Sequence, residues 1–375
     1  MSSPRLLAIL AVLQACTATS DGTTDGSADT DDTDVTQIAP CDVPGAICTI
    51  AGQGGKLGLN GDGMPPLDTW LYFPSGLDWA PDGALVIDDF NNMRIRALRD
   101  GALTTIVGDG LHGWATPEAP ALESALENPV DIAFGPGGEL YIAELHSSRI
   151  LRVGDDQLIH VFAGTGDEGF AGDGVPATQA LLSSSAGVAT APDGRVFISD
   201  TDNHCVRVVE TDGTIHNLGG DGIPGVDTGA TGRLHHPQRL AVDGARLLVA
   251  DADNHQIRAI DLLTHDVTVI AGDGTQGSGG DGGLATAAQL NQPYGVTAGP
   301  DGSIYVADFG DNKVRVISPD GVIATLAGTG EPTFSGDGGQ AADAALNGPA
   351  DVLLGPDGAL YIADMINGVV RRVAP

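Results

Sequence analysis

Residues 293–328 read PYGVTAGPDGSIYVADFGDNKVRVISPDGVIATLAG. Four short apolar runs, GVTAG, SIYVAD, KVRVI and VIATLAG, are separated by PDG, FGDN and SPDG. β-Branched residues fill the runs, and Gly, Pro, Asp or Asn bound them, so the stretch predicts four antiparallel strands joined by tight turns. Matching copies begin at Pro74, Pro129, Ser185, Pro237, Pro293 and Pro349, at intervals of 55, 56, 52, 56 and 56 residues. A fixed period of this size with four strands per unit predicts an all-β fold, a six-bladed β-propeller of four-stranded antiparallel blades. The last copy ends after three strands. Residues 46–52, AICTIAG, match the fourth strand of the other copies, so an N-terminal strand is expected to close the last blade and remove two open sheet edges.

The 375 residues carry a formal net charge of −33 with 42% hydrophobic and 4% aromatic residues. The core must therefore be built from aliphatic side chains. One Arg and six Asp give residues 1–40 a charge of −5, which leaves −28 on residues 41–375. So acidic a surface repels nucleic acid and anionic head groups and favours cations, basic partners or simple solubility.

Residues 1–15 read as a secretory signal: one Arg, then an apolar run from Leu6 to Leu13, too short for a mature membrane span. Leu13-Gln14-Ala15-Cys16 resembles the lipobox of bacterial lipoproteins, which implies cleavage before Cys16 and a lipid on its sulfur. With Thr17 rather than Asp next, the resemblance implies the cell envelope, at the outer membrane of a Gram-negative cell, with the lipid as the sole membrane contact. Residues 16–40 are low-complexity Thr, Asp, Ser and Gly, expected as a disordered tether to the propeller of residues 41–375. Cys41 and Cys48 flank a turn-forming DVPGAI and are expected to form a disulfide at the start of the closing strand. Cys205 has no obvious partner.

The turn after the second strand begins with an acid in every copy: Asp89, Glu144, Asp200, Asp251, Asp308 and Asp364. DTDNHCVR and DADNHQIR add an Asn-His pair and a later Arg (Arg207, Arg258), repeated in part as Arg315 and Arg371. On these residues the chain resembles the NHL-repeat family over residues 41–375, whose members form six-bladed propellers. The second copy, with Glu144 and Ser147, departs most. The six acids invite a metal reading, but recurrence in every blade points to a structural use, an acid accepting backbone N–H groups of its own turn. His204 and His255 match the family triplet and are expected to be structural.

A long glycine-rich loop follows each fourth strand, for example GDGTQGSGGDGGLATAAQLNQ at 272–292. Such GDGG loops resemble those of bacterial multi-copy NHL proteins. Four of them contain G-x-G-x-x-G, but after an outer strand and without a helix, so the motif reads as turn chemistry rather than a dinucleotide fingerprint. Topology places these loops and the acid-led turns on one face, the wider and more varied one for binding.

The third position of the innermost strand reads Gly76, Asp131, Gly187, Arg239, Gly295 and Asp351. Asp131, Arg239 and Asp351 would face the channel mouth and suit a polar ligand or a cation, or pair with each other. The nine histidines form no H-E-x-x-H. His235 and His236 point apart if extended, and His112, His146 and His235 fall on the long-loop face. The leading expectation is a monomeric, non-enzymatic binding module for a protein, peptide or glycan. No cofactor is expected for it. The alternative is a hydrolase or lyase holding a divalent ion (calcium or zinc) at the channel mouth, as in the gluconolactonase-like and amidating-lyase propellers. In that case Asp131 and Asp351 would be the first ligands.

Overall fold

The computed structural model describes residues 41–229 and 232–375. The signal, Cys16 and the tether lie outside them. Six antiparallel four-stranded sheets follow one another in chain order. In blade 1 the strands are Pro74–Trp79, Leu85–Asp89, Arg94–Arg99 and Ala102–Val107, from inside to outside. Blade 6 comprises Pro349–Leu354, Leu360–Asp364 and Val369–Val373, and its outer strand is Ile47–Gly52, paired from Ile47↔Val373 to Gly52↔Val369. The ring is therefore closed by the N-terminal strand. Cys48, the second residue of this strand, is disulfide-bonded to Cys41. Blade 3 gains a two-residue strand, Val175–Pro176, on its outer edge.

Neighbouring blades pack face to face through aliphatic side chains. Val86 and Ile95 of blade 1 meet Ile132, Ile142 and Leu151 of blade 2 in one continuous cluster, all buried. Each such side chain contributes about 1.5–3 kcal/mol on burial, so the low aromatic content is offset by the number of β-branched contacts.

The acid-led turn is the same device in all six blades. The carboxylate accepts a backbone N–H seventeen residues earlier, or sixteen in blade 4: Tyr72 to Asp89, Glu127 to Glu144, Ser183 to Asp200, His235 to Asp251, Asn291 to Asp308 and Asn347 to Asp364, at 2.7–2.8 Å. In blades 1, 3, 4 and 6 an Asn three residues on also donates to it at 2.8 Å. A fully buried Arg from the third strand stands 3.3–3.5 Å away in blades 1, 3, 4, 5 and 6. Blade 2 has Leu151 at the Arg position. There the longer Glu144 is met by Arg149 at 2.9 Å and Ser147 at 2.6 Å. The departure seen in the sequence is a compensated variant of one clamp.

The loop aspartates belong to this clamp. Asp62 of one GDG lies 3.2 Å from Arg96 and accepts the Thr105 N–H at 2.8 Å, and Asp337 lies 2.6 Å from Arg371. These two loops are thereby tied to the blades that follow them. The turn Asn side chains bond back to the same loops, Asn92 to the Gly58 carbonyl at 2.8 Å and Asn203 to that of Gly169 at 2.7 Å. Turns and long loops thus share a face. The glycines of the G-x-G motif end the outer strands at positive φ. A Cβ on Gly108 or Gly164 would fall 2.3 or 2.2 Å from a backbone carbonyl of the neighbouring turn. The loop segment ATAAQLN forms a single 3₁₀ turn over Ala285–Ala287.

Candidate functional site

The channel comes first, because the inner strands build it. The alternation of charge and glycine at the third position has a steric cause. A Cβ on Gly76 would lie 3.0 Å from the Asp131 carboxylate, on Gly187 2.3 Å from the Gln238 carbonyl, and on Gly295 2.7 Å from Asp351 Cα. Glycine on one blade lets the charged residue of the next approach. Asp131, Arg239 and Asp351 are brought together, but as a buried group, at 3%, 6% and 7% exposure. Arg239 reaches from blade 4 across the axis. Its guanidinium donates to the carbonyls of Ser75 (3.0 Å), Val130 and Ala186, one each from blades 1, 2 and 3, and lies 3.4 Å from Asp131. Asp131 also accepts the Val188 N–H and Asp351 the Leu77 N–H, both at 2.9 Å. Asp88, buried beside them, accepts the Ser75 hydroxyl at 3.1 Å. Burial pushes Asp88 well above the usual carboxylate range and Asp351 up to about 7, with the Arg239 charge pulling the other way. The channel is thus filled by a protein cation whose donors face backbone carbonyls.

Above the channel, at the long-loop face, the residues before the inner strands take left-handed backbone: Phe73, Asn128, Ser184, His236, Gln292 and Gly348 all have φ of 49–61°. The left-handed turn residues opposite them bond across the blade junction. His204 Nδ1 accepts the His236 N–H at 3.3 Å, His255 Nδ1 that of Gln292 at 3.2 Å, and Asn312 Oδ1 that of Gly348 at 2.9 Å. The family histidine therefore has a structural use. Left-handed backbone at His236 also corrects the expectation from extended geometry. His235 and His236 do not point apart; their rings stack with centroids 5.0 Å apart. His204 packs against both, at 5.3 and 4.5 Å. Asp253 accepts from His236 Nδ1 at 2.8 Å, and Asp202 lies 3.6 Å from His236 Nε2. Burial and the neighbouring His236 and His235 lower His204 to about 4. Burial opposes ionisation of Asp253, but the His236 bond and charge hold it near 2. His112 and His146 stand apart from this group, both 2.9 Å from Asn128 Oδ1. The sequence signal missed here was the His-His pair directly before an inner-strand Pro, where the other blades show no histidine.

The same face carries an apolar arc. Leu111, Trp114, Phe170, Ile223 and Val226 come from three consecutive loops and are exposed, Trp114 by 53% and Phe170 by 47%. Trp114 lies over Arg149 at 4.8 Å and Phe170 over Arg207 at 5.6 Å. Each ring also covers a glycine of the next loop, Gly166 and Gly222. The rings are thereby held flat and presented on a rigid base. On the opposite face a cleft of 320 Å³ between blades 1 and 2 includes Asp82, Arg99 and Asp155 in its lining. Asp82 pairs with Arg99 there at 2.7 Å. Cys205 is buried, 3.9 Å from Asp200, and burial with that carboxylate pushes its thiol well up, which makes it a poor nucleophile.

The teneurin NHL domain model matches residues 242–333 and the NHL repeat model residues 186–209. Teneurin-m of Drosophila melanogaster is 31% identical over 344 residues, which cover 81% of this chain and 12% of that protein. The chain thus spans about an eighth of that relative's length. Two solved structures from Bacteroides thetaiotaomicron share the fold. A structural genomics protein of unknown function has a TM-score of 0.67 at 18% identity, covering 88% of this chain and 75% of that one. An auxiliary nutrient binding protein has 0.65 at 15%, covering 88% and 76%.

Proposed function

We propose that this chain, an NHL-repeat propeller, is a non-enzymatic interaction module that engages a protein partner through its long-loop face. The observation carrying the proposal is the arc of Leu111, Trp114, Phe170, Ile223 and Val226, exposed on three successive loops, with Trp114 and Phe170 seated on buried arginines and on glycines. Rigid, half-exposed aromatic rings with apolar neighbours are what a protein interface uses as anchors. The excess of acid on the propeller favours a neutral or basic partner. A protein partner rather than a peptide or glycan fits an arc that spreads over three loops instead of lining a groove. One fold neighbour is a nutrient binding protein, which supports a binding role by analogy. A divalent ion held by Asp131 and Asp351 draws less support, because the Arg239 guanidinium already stands among them.

Localisation is part of the proposal: a lipid on Cys16 would hold the propeller at a cell envelope. Cys16→Ala should then move the protein from the membrane to the soluble fraction, and an unchanged distribution would refute the anchor. For the interface, envelope extracts would be captured on wild type, on Trp114→Ala/Phe170→Ala and on Arg99→Ala at the opposite face. One stoichiometric protein retained by wild type and Arg99→Ala but lost with the aromatic pair is the expected result. A partner indifferent to the aromatic pair would refute the assignment of the face.

A further inference from the structure

The imidazoles at the junction of blades 3 and 4 form part of neither the acid-led clamp, which takes only the His235 backbone N–H, nor the apolar arc. His204, His235 and His236 each offer a ring nitrogen, and these three atoms all lie within 4.8 Å of one another. Among the described residues the grouping occurs at this junction alone. His255 makes the same backbone bond in blade 4 as His204 does in blade 3, but it faces Asn291-Gln292 instead of a His-His pair.

The surroundings are those of a metal centre's outer partners. Asp253 is an acceptor only, so the 2.8 Å contact fixes the proton of His236 on Nδ1 and leaves a lone pair on Nε2. Asp202 Oδ1 lies 3.6 Å from that Nε2, at the edge of the group. Asp202 is itself held by the Ser184 hydroxyl at 2.9 Å, and Asp253 by the Gln292 amide at 3.3 Å. His204 can turn its Nδ1 lone pair to an ion by giving up a 3.3 Å N–H···N bond, long for its type. All three rings are part-exposed, so an ion has a route from solvent. We propose a transition-metal site of the zinc class at His204, His235 and His236, with Asp202 as a fourth donor and Asp253 orienting His236. Three imidazoles and one carboxylate suit zinc and disfavour calcium, which takes six or more oxygens. The site adds a bound ion to the face proposed for partner binding but does not depend on that reading.

The test uses the full, tag-free chain. After dialysis against zinc or calcium and removal of excess, bound metal is measured by mass spectrometry. Cobalt is added in parallel for its tetrahedral visible bands. The expected result is about one zinc per chain, no retained calcium, and a cobalt spectrum that zinc abolishes. Asp253→Asn should weaken zinc by ~10–100-fold, and His235→Gln/His236→Gln by more. His204→Asn separates ligation from folding, because Asn312 shows that asparagine makes the same backbone bond in blade 5. This variant should keep the wild-type melting temperature and lose zinc. A folded wild type without zinc, equal retention of calcium, or zinc undiminished in both histidine variants would each overturn the site.

Discussion

Arg239→Met is the sharpest perturbation of the channel. It keeps most of the side-chain volume but removes the donors that face the carbonyls of Ser75, Val130 and Ala186 and the charge beside Asp131. Breaking a buried ion pair from one side costs about 3–5 kcal/mol. An unfolding entropy of about 2 cal/mol/K per residue gives ~0.7 kcal/mol/K for residues 41–375, so the melting temperature should fall by roughly 4–7 °C. A double-mutant cycle isolates the pair. Asparagine at 131 can still accept the Val188 N–H, so Asp131→Asn/Arg239→Met should recover about 1–3 kcal/mol relative to the sum of the single changes. Denaturant or thermal unfolding followed by circular dichroism would measure all four corners. Additivity within about 0.5 kcal/mol, or an Arg239→Met variant as stable as wild type, would refute the view that Arg239 holds three blades together.

The pH dependence follows from the buried acids. Asp251 and Asp351 are pushed up to about 7, and Asp89, Asp200 and Asp364 to about 6, chiefly by burial. Between pH 4 and 7 the folded state then holds more protons than the unfolded chain, so stability declines as pH rises through that window. The melting temperature should be lower at pH 8 than at pH 5, and calorimetry in matched ionic strength would reveal a contrary slope. Asn203→Ala removes donors to Asp200 and to the Gly169 carbonyl and should cost about 1–3 kcal/mol in urea unfolding. Cys41→Ser/Cys48→Ser opens a short loop and should cost about 2.5 kcal/mol on the chain-entropy scale, measured against the oxidised wild type. Cys205 should resist thiol reagents in the native state and react at the rate of unfolding. Rapid labelling of the folded protein would contradict its burial.

The ring was legible because its signals are local and repeated. The strand runs, the acid at the head of each turn and the N-terminal AICTIAG each announce a partner that the period itself identifies. What stayed hidden was the partner one blade over. Nothing in GDG names Arg96 or Arg371 as the side chain its aspartate meets, since loop and arginine lie in different repeats. The alternation of Gly76, Gly187 and Gly295 with charge was visible, but its cause, close approach of adjacent inner strands, is a property of the closed ring. The histidine group was missed for a conformational reason. An extended His235-His236 separates its rings, and only the left-handed backbone before Pro237 stacks them against His204. A clue was available: Asn128 and Gly348, residue types that tolerate such backbone, precede two of the other blade-starting prolines.

Pairing Ile47–Gly52 with Val369–Val373 joins the first strand of the ring to its last. Of the ring's strands, the earliest in sequence must wait for those of blade 6, so a ring still in synthesis differs from a finished one. A transcript cut short anywhere before blade 6 leaves an unpaired edge rich in Ile and Thr, the kind of signal that chaperones and proteases read. The closure thus works as a checkpoint on completeness, and its cost is a slow last step, since the contact of greatest sequence separation forms only after the blades between are in place.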